Sequence, residues 1–345
     1  MKILLTADPE LPVPPGLYGG IERIVDTLVH NYVDAGHDVT LCAHPESRVP
    51  CRLVPWKGPR SQNRVDVLKN MATLTRLVYG GKFDIVHSFS RLAYMTAVFP
   101  LRVPKIMSYQ REPSLGQVQK AVRLSPKQSM VFTGCSHYIS DQLATVATAY
   151  TIYNCAPIEK YTFRAATGED APLVFLGRIE DIKGTHIAVE IARATGKRLV
   201  IAGNIPAGKE EYFDTTVKPY LNERIVYVGP VNDEQKNELL GKALAFLMPV
   251  QWNEPFGIVM AEAMACGTPV LGFPFGSVPE VVEDGINGFV CKDAKEMIAK
   301  VAEADRIDRS AVRKVAEQRF SNEKIAADYL ELYRQLTGGR RAKTV

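Results

Sequence analysis

Asn253–Val270 reads NEPFGIVMAEAMACGTPV. A Pro-Phe-Gly turn opens a helix-forming run, and Met264-Ala-Cys-Gly-Thr-Pro-Val-Leu carries the chain straight into a buried strand, the repeating unit of a parallel α/β sheet. Pro255 suits the first helical turn, and Gly257 lets backbone approach a ligand closely. This predicts a helix over Glu254–Ala265, with the free N–H groups of Phe256, Gly257 and Ile258 at its N-terminus, where an anion is favoured. Glu254 and Glu262 stand eight positions apart, a little over two turns at about 3.6 residues per turn, so both fall on nearly one side. Two acceptor-only groups beside an anion pocket suit sugar hydroxyls better than the anion itself. The plainer alternative is a surface helix with two solvated glutamates.

Outward from that stretch, strand and helix alternate through two series. Apolar runs of strand length stand at Ile3–Ala7, Val39–Cys42, Ile85–Ser88, Lys105–Ser108, Val131–Gly134 and Thr151–Tyr153, with helix-period segments at Gly20–Ala35, Gln62–Tyr79, Leu92–Phe99, Pro113–Arg123 and Ser136–Val146. After a polar linker, Asn154–Ala171, the pattern repeats: strands Leu173–Leu176, Leu199–Ala202, Ile225–Val228, Ala245–Met248 and Pro269–Phe273, with helices Gly184–Ala194, Glu210–Leu221 and Glu234–Ala243 between them. Uninterrupted apolar strands separated by helices indicate parallel sheets covered on both faces. The expected fold class is therefore α/β, with two doubly wound Rossmann-like domains facing across a cleft. The tail Gly338–Val345 reads as disordered.

Composition narrows the class. No apolar run of the 345-residue chain approaches the roughly 18 residues of a membrane span, and MKILLTADPE reads as a first strand. The six cysteines (Cys42, Cys51, Cys135, Cys155, Cys266, Cys291) show no metal spacing and read as buried free thiols of a reducing cytoplasm. Residues 1–170 carry 19 Lys+Arg and 14 Asp+Glu, a net +5, against −1 for the remainder, and no nucleic-acid partner is expected. Lys57–Lys82 is the most one-sided segment, and Val65, Leu68, Ala72, Thr75 and Val78 recur there at helical spacing. Such a helix can lie on an anionic membrane as a weak peripheral contact, or be an ordinary solvated surface helix.

The candidate anion site has further parts. Strand Leu173–Leu176 ends in Gly177-Arg178, and Lys183-Gly184 follows at a helix start. An Arg fork with a Lys point charge is what a diphosphate needs. Gly19-Gly20, in the loop Leu17–Arg23 after the first strand, allows close backbone approach at a second helix N-terminus; the alternative is a simple turn. No Asp-x-Asp pair occurs, so no metal is expected at the diphosphate. The dehydrogenase fingerprint G-x-G-x-x-G is absent as well.

Together, the E-x7-E spacing, the P-F-G turn, the G-T-P-V strand and SVPEVVEDGINGFV (Ser277–Val290) resemble retaining glycosyltransferases of the GT-B fold, in particular glycosyltransferase family 4. The resemblance runs from Met1 to about Leu336. It implies transfer of a sugar from a nucleotide diphosphate, UDP preferred over GDP, to an acceptor it does not identify, by front-face attack without metal or cofactor. Arg178 and Lys183 would hold the pyrophosphate, Glu254 the donor sugar and Glu262 the ribose. Gly177, Val231 in the Gly229-Pro230-Val231 loop, Phe256, Gly257 and Ile258 would line the donor site, with Gly19 and Gly20 closing on the donor phosphate. It further implies an acceptor-side domain over residues 1–165, to which helix 322–338 returns, and a donor domain over 170–320. Two departures fall on the acceptor side. Where many members carry T-x-H-D, this chain has Ser108-Tyr109-Gln110-Arg111, so Gln110 would meet the sugar without titrating; and Tyr153–Glu159 replaces the usual N-G-V-D. Neither His87, read as a core histidine, nor His137, read as local capping, replaces the missing one. A nucleotide-sugar epimerase, a phosphorylase, and a non-catalytic nucleotide-sugar binder or partner subunit remain as alternatives.

Overall fold

The structure is a computed structural model and describes residues 1–16 and 19–341. Leu17 and Tyr18 of the glycine loop and residues 342–345 of the tail lie outside the described residues. The chain divides into two units, Met1–Asn154 with Asn322–Val345, and Cys155–Ser321.

In the first unit, β1 (Lys2–Thr6), β2 (Asp38–Ala43), β3 (Arg52–Pro55), β4 (Ile85–Ser88), β5 (Lys105–Tyr109), β6 (Met130–Gly134) and β7 (Ala149–Thr151) form one sheet in the order β3-β2-β1-β4-β5-β6-β7. Every pairing is parallel, Ile3 lying between Val39 and Ile85. The order reverses at β1 and β4, and at such a switch point the strand carboxyl ends open a crevice. In the second unit, β8 (Leu173–Leu176), β9 (Leu199–Ala202), β10 (Ile225–Tyr227), β11 (Ala245–Met248), β12 (Val270–Gly272) and β13 (Gly288–Val290) run β10-β9-β8-β11-β12-β13, again all parallel, with the switch at β8 and β11.

The structure departs from the sequence reading at several elements. The edge strands β3 and β13 were not expected: Arg52–Pro55 ends in proline and β13 is three residues long, so neither shows a strand-length apolar run. Leu92–Val98 is a 3-10 helix, and Glu210–Leu221 breaks into Glu210–Thr216 and a 3-10 turn at Lys218–Tyr220, where Pro219 cannot continue an α-helix. The strand expected at Thr151–Tyr153 is Ala149–Thr151. Helix Asn322–Arg341 continues through Gly338–Arg341, which the sequence reading left disordered. Among the described residues no helix is long and apolar enough to cross a membrane.

Helix Arg64–Gly81 turns a different face inward from the one its apolar spacing suggests. Its buried residues are Asp66, Asn70, Thr73, Leu74 and Val78, whereas Val65 and Leu68 are 59% and 58% exposed. The polar residues are satisfied locally. Asn70 accepts from the Gly58 N–H and donates to the Gly58 carbonyl, both at 2.8 Å, and Asp66 meets Arg60 and Lys69 at 3.4 and 3.5 Å. Fully hydrogen-bonded polar groups can be buried, and here they leave Val65 and Leu68 at the surface while Val78 stays inside.

The helix Asn322–Arg341 is fastened to the first sheet by a buried polar chain. His87 on β4 bonds with the Tyr333 hydroxyl at 2.5 Å and with Ser108 Oγ at 2.6 Å; Ser108 Oγ also meets Thr133 Oγ1 at 2.5 Å and the Tyr329 hydroxyl at 3.1 Å. His87 is thus a satisfied core histidine, as its sequence context suggested. Burial pushes its pKa from 6.5 down to about 3, so the ring is neutral in the fold and the unfolded chain binds the extra proton between those values. Stability of the first unit is therefore full above pH 6.5 and falls as the pH drops toward 3. Between pH 6 and 4 one such proton steepens the loss by up to about 1.4 kcal/mol per pH unit. His87→Gln, followed by hydrogen exchange of the β4 and β5 amides, should flatten that dependence; an unchanged slope would show that His87 does not set it.

Candidate active site

The site grows from the carboxyl end of β8. Gly177 donates to the Ala202 carbonyl at 3.0 Å, and Gly203 (φ +139°) lies so close that a Cβ there would sit 1.8 Å from the Gly177 oxygen. Two strand-end loops therefore meet backbone to backbone. Next, Asp181–Lys183 forms one 3-10 turn, and Gly184 takes a left-handed conformation (φ 76°) as N-cap of helix Thr185–Thr195. Only glycine fits there, because a Cβ would meet the Pro249 carbonyl oxygen at 1.9 Å. That close approach to the loop after β11 brings Lys183 to Glu254.

Lys183 Nζ donates to Glu254 Oε2 at 2.6 Å, with both side chains largely buried. Trp252 Nε1 donates to the same oxygen at 3.1 Å, and Lys183 Nζ lies over the Trp252 ring, 4.7 Å from its centroid. Arg178, half-exposed, pairs instead with buried Glu180 at 2.8 Å. The structure thus unites Lys183 with Glu254 and gives Arg178 its own carboxylate.

The helix expected from Glu254 begins four residues later, at Ile258. Gly257 is its N-cap at φ 72°, so Glu254 and Pro255 belong to the preceding loop and the two glutamates do not share a helix face. First-turn N–H groups accordingly start at Ile258, not Phe256, whose ring is buried against Phe320 at 5.6 Å. Gly276 and Ser277 hold this loop. The Ser277 N–H donates to the Glu254 carbonyl at 2.9 Å, its Oγ donates to the Phe256 carbonyl at 2.9 Å, and a Cβ on Gly276 would strike Glu254 backbone at 2.2 Å. Ser277 entered the sequence reading only as the start of the Ser277–Val290 resemblance; its buried hydroxyl shows that the stretch shapes the Glu254 loop.

Glu262, inside the helix, sits in a separate cluster. It accepts from Lys236 Nζ at 2.6 Å, and Lys236 lies 5.6 Å from the Tyr161 ring centroid. Burial, and then the neighbouring Glu262 carboxylate, push the Tyr161 hydroxyl pKa far up, so it stays protonated beside Glu262. Lys236 and Tyr161 were missed because one lies on a helix that looked like plain surface and the other in the presumed linker. Val231 lies in the loop between β10 and helix Asp233–Lys242, which a reciprocal Asn232/Gln235 capping box fixes.

In the first unit, Gly19 (φ 147°) caps helix Gly20–Asp34, and its left-handed backbone makes glycine necessary. Gln110 follows β5 with its Nε2 buried and unpartnered. Asp8 lies just past β1; burial and then Glu10 raise its carboxyl to about 6, while Arg111 and Arg91 pull it back. Burial raises the Glu22 carboxyl as well. Asp8 carries no sequence signal beyond its place after the first strand.

Two family models cover the chain between them: Glycosyltransferase Family 4 matches residues 18–156, and Glycosyl transferases group 1 matches residues 159–318. The chain is a glycosyltransferase of the group 1 and family 4 type. This glycosyltransferase is 26% identical over 305 residues to a phosphatidyl-myo-inositol mannosyltransferase of Propionibacterium freudenreichii subsp. shermanii, covering 77% of this chain and 76% of that one. It is 23% identical to spore coat protein SA of Bacillus subtilis, over 96% and 99% of the two chains. Its structure is similar to that of AviGT4, a glycosyltransferase involved in avilamycin A biosynthesis, with a TM-score of 0.74, 26% identity and 98% of each chain covered. The same fold recurs, at 19% identity and TM-score 0.74, in an Anabaena protein solved in complex with UDP-glucose, over 97% of this glycosyltransferase and 100% of that chain.

Proposed function

We propose that the enzyme is a metal-independent, retaining glycosyltransferase that uses a UDP-sugar. The observation that carries the reading is the meeting of Lys183, Glu254 and Trp252 beside the Gly177 strand end. Bond cleavage between the sugar anomeric carbon and the phosphate oxygen leaves negative charge on the diphosphate. Lys183, Arg178 and the N-termini of helices Thr185–Thr195 and Ile258–Ala265 supply positive potential for it without a metal ion. The acceptor oxygen bonds to the same face of the anomeric carbon, and its proton passes to the departing phosphate, so no protein nucleophile or cofactor is needed. Glu254 orients the sugar hydroxyls and Glu262 the ribose. That the Anabaena neighbour was solved with UDP-glucose supports uridine. Gly19, Gly20 and Gln110 keep the roles that the family resemblance implies, and the acceptor is a sugar, a lipid-linked sugar or a small metabolite. The free cysteines, five of them buried, support a cytoplasmic location. The test is thermal shift with UDP, GDP and uridine, followed by turnover in EDTA. UDP should stabilise most, by about 2.7 kcal/mol at a hundredfold excess over Kd. Turnover should survive EDTA; complete loss restored by manganese would defeat the charge assignment.

We also propose that helix Arg64–Gly81 makes weak contact with an anionic membrane. Val65, Leu68 and Tyr79 are exposed large apolar residues, and Arg64, Lys69 and Arg76 are exposed along the same helix. Apolar insertion flanked by cations is the pattern of interfacial helices. Co-sedimentation with phosphatidylserine vesicles should weaken as salt rises and fall with Lys69→Glu plus Arg76→Glu, each cation contributing about 1 kcal/mol. Absence of binding at low salt would leave a solvated face.

A further inference from the structure

We infer that Trp252 is a positioning residue that keeps Glu254 in place when the donor diphosphate draws Lys183 away. The inference rests on the donor-site reading above. One carboxylate oxygen, Glu254 Oε2, accepts from two donors: Lys183 Nζ at 2.6 Å and Trp252 Nε1 at 3.1 Å. Lys183 cannot serve both a diphosphate and Glu254 at full strength, because its compact charge follows the larger negative charge. If Lys183 were the sole restraint, donor binding would release Glu254 just when it must hold the sugar hydroxyls. The indole N–H is a neutral donor, so a diphosphate's charge draws it far less strongly than it draws the Lys183 ammonium. Its ring does a second job, since Lys183 Nζ lies over the ring at 4.7 Å and can shift toward an anion while keeping a favourable contact with the π face. The indole thus separates the two tasks of the pair, cation to phosphate and carboxylate to sugar. Its own place is set from both sides in the chain, where the Gln251 N–H donates to the Ile182 carbonyl at 2.8 Å and the Gly276 N–H donates to Asn253 Oδ1 at 3.2 Å.

The test uses the full chain, with UDP and uridine as binding probes and, for turnover, the nucleotide sugar the wild type uses fastest. Trp252→Phe keeps the ring and removes the N–H. Turnover should fall about tenfold, the scale of one hydrogen bond to a charged group, while the UDP Kd stays within about threefold. Trp252→His, which restores a ring N–H, should recover part of the loss. A purely structural role would instead weaken UDP binding and turnover together. The spectroscopic arm exploits the small number of indoles, two in the chain. The emission of wild type minus that of Trp252→Phe isolates Trp252, and UDP should change it while uridine, lacking the diphosphate, should not. The inference is overturned if UDP stabilises the protein but leaves that difference signal unchanged, or if Trp252→Phe turns over within about twofold of wild type. If UDP fails to bind, or if Lys183→Ala leaves UDP binding and transfer intact, the donor-site reading itself fails, and with it the basis of this one.

Discussion

Lys183→Ala is expected to lower turnover by about 10²–10³-fold, and Arg178→Ala by a similar factor, the usual scale for removing one electrostatic stabiliser from a developing charge. The structure separates the two. Lys183 is largely buried and directly bonded to Glu254, so on the proposed reading its removal takes away the diphosphate cation, and in any case it leaves a buried carboxylate without its counter-charge. Arg178 is half-exposed, held by Glu180 at 2.8 Å, and its loss is partly offset by water and salt. Lys183→Ala should therefore be the more damaging. The measurement is kcat and the UDP Kd for each variant and for the double variant. If removing both leaves UDP-sugar binding and transfer unchanged, the diphosphate does not bind beside the Gly177 strand end.

Glu254→Ala should cost at least as much in turnover, about 10²–10³-fold, with a different signature. If Glu254 holds the donor sugar as proposed, then without its carboxylate the sugar loses the geometry that brings the anomeric carbon to its attacker, and misplacement by an ångström can cost about 10²-fold. The same substitution frees Lys183 from its ion pair, so UDP affinity should hold or rise while kcat collapses. Glu254→Gln keeps the shape and the Trp252 N–H acceptor and should recover part of kcat. A fall in UDP affinity equal to the fall in turnover would mean that Glu254 acts on the nucleotide and not on the sugar.

How much of this was legible beforehand differs between elements. The central strands of both sheets were read from uninterrupted apolar runs, and Leu173–Leu176, Leu199–Ala202 and Ala245–Met248 have the bounds the sequence indicated. Such runs have few alternatives, because a parallel strand is buried on both faces and helices must follow it. The edge strands β3 and β13 were not legible, since pairing along one side needs only a few residues and tolerates a proline. For helix Arg64–Gly81 the periodicity was real, but the face it turns inward was decided by Gly58 and the surrounding loop.

The same division holds at the site. The sequence by itself determined the two α/β series, the Gly177–Gly184 and Asn253–Val270 segments, and the residue types at Arg178, Lys183, Glu254 and Glu262. Chain order and side-chain chemistry carry that much. Only the tertiary structure decided which cation meets which carboxylate, Lys183 with Glu254 and Lys236 with Glu262, and that Trp252 shares the first pair. It also decided that the helix starts at Ile258, because left-handed Gly257 and the Ser277 bonds to the Glu254 and Phe256 carbonyls hold the preceding residues in a loop. Those bonds join residues more than twenty positions apart, and the Lys183–Glu254 pair spans 71, distances over which local propensity and periodicity carry no information.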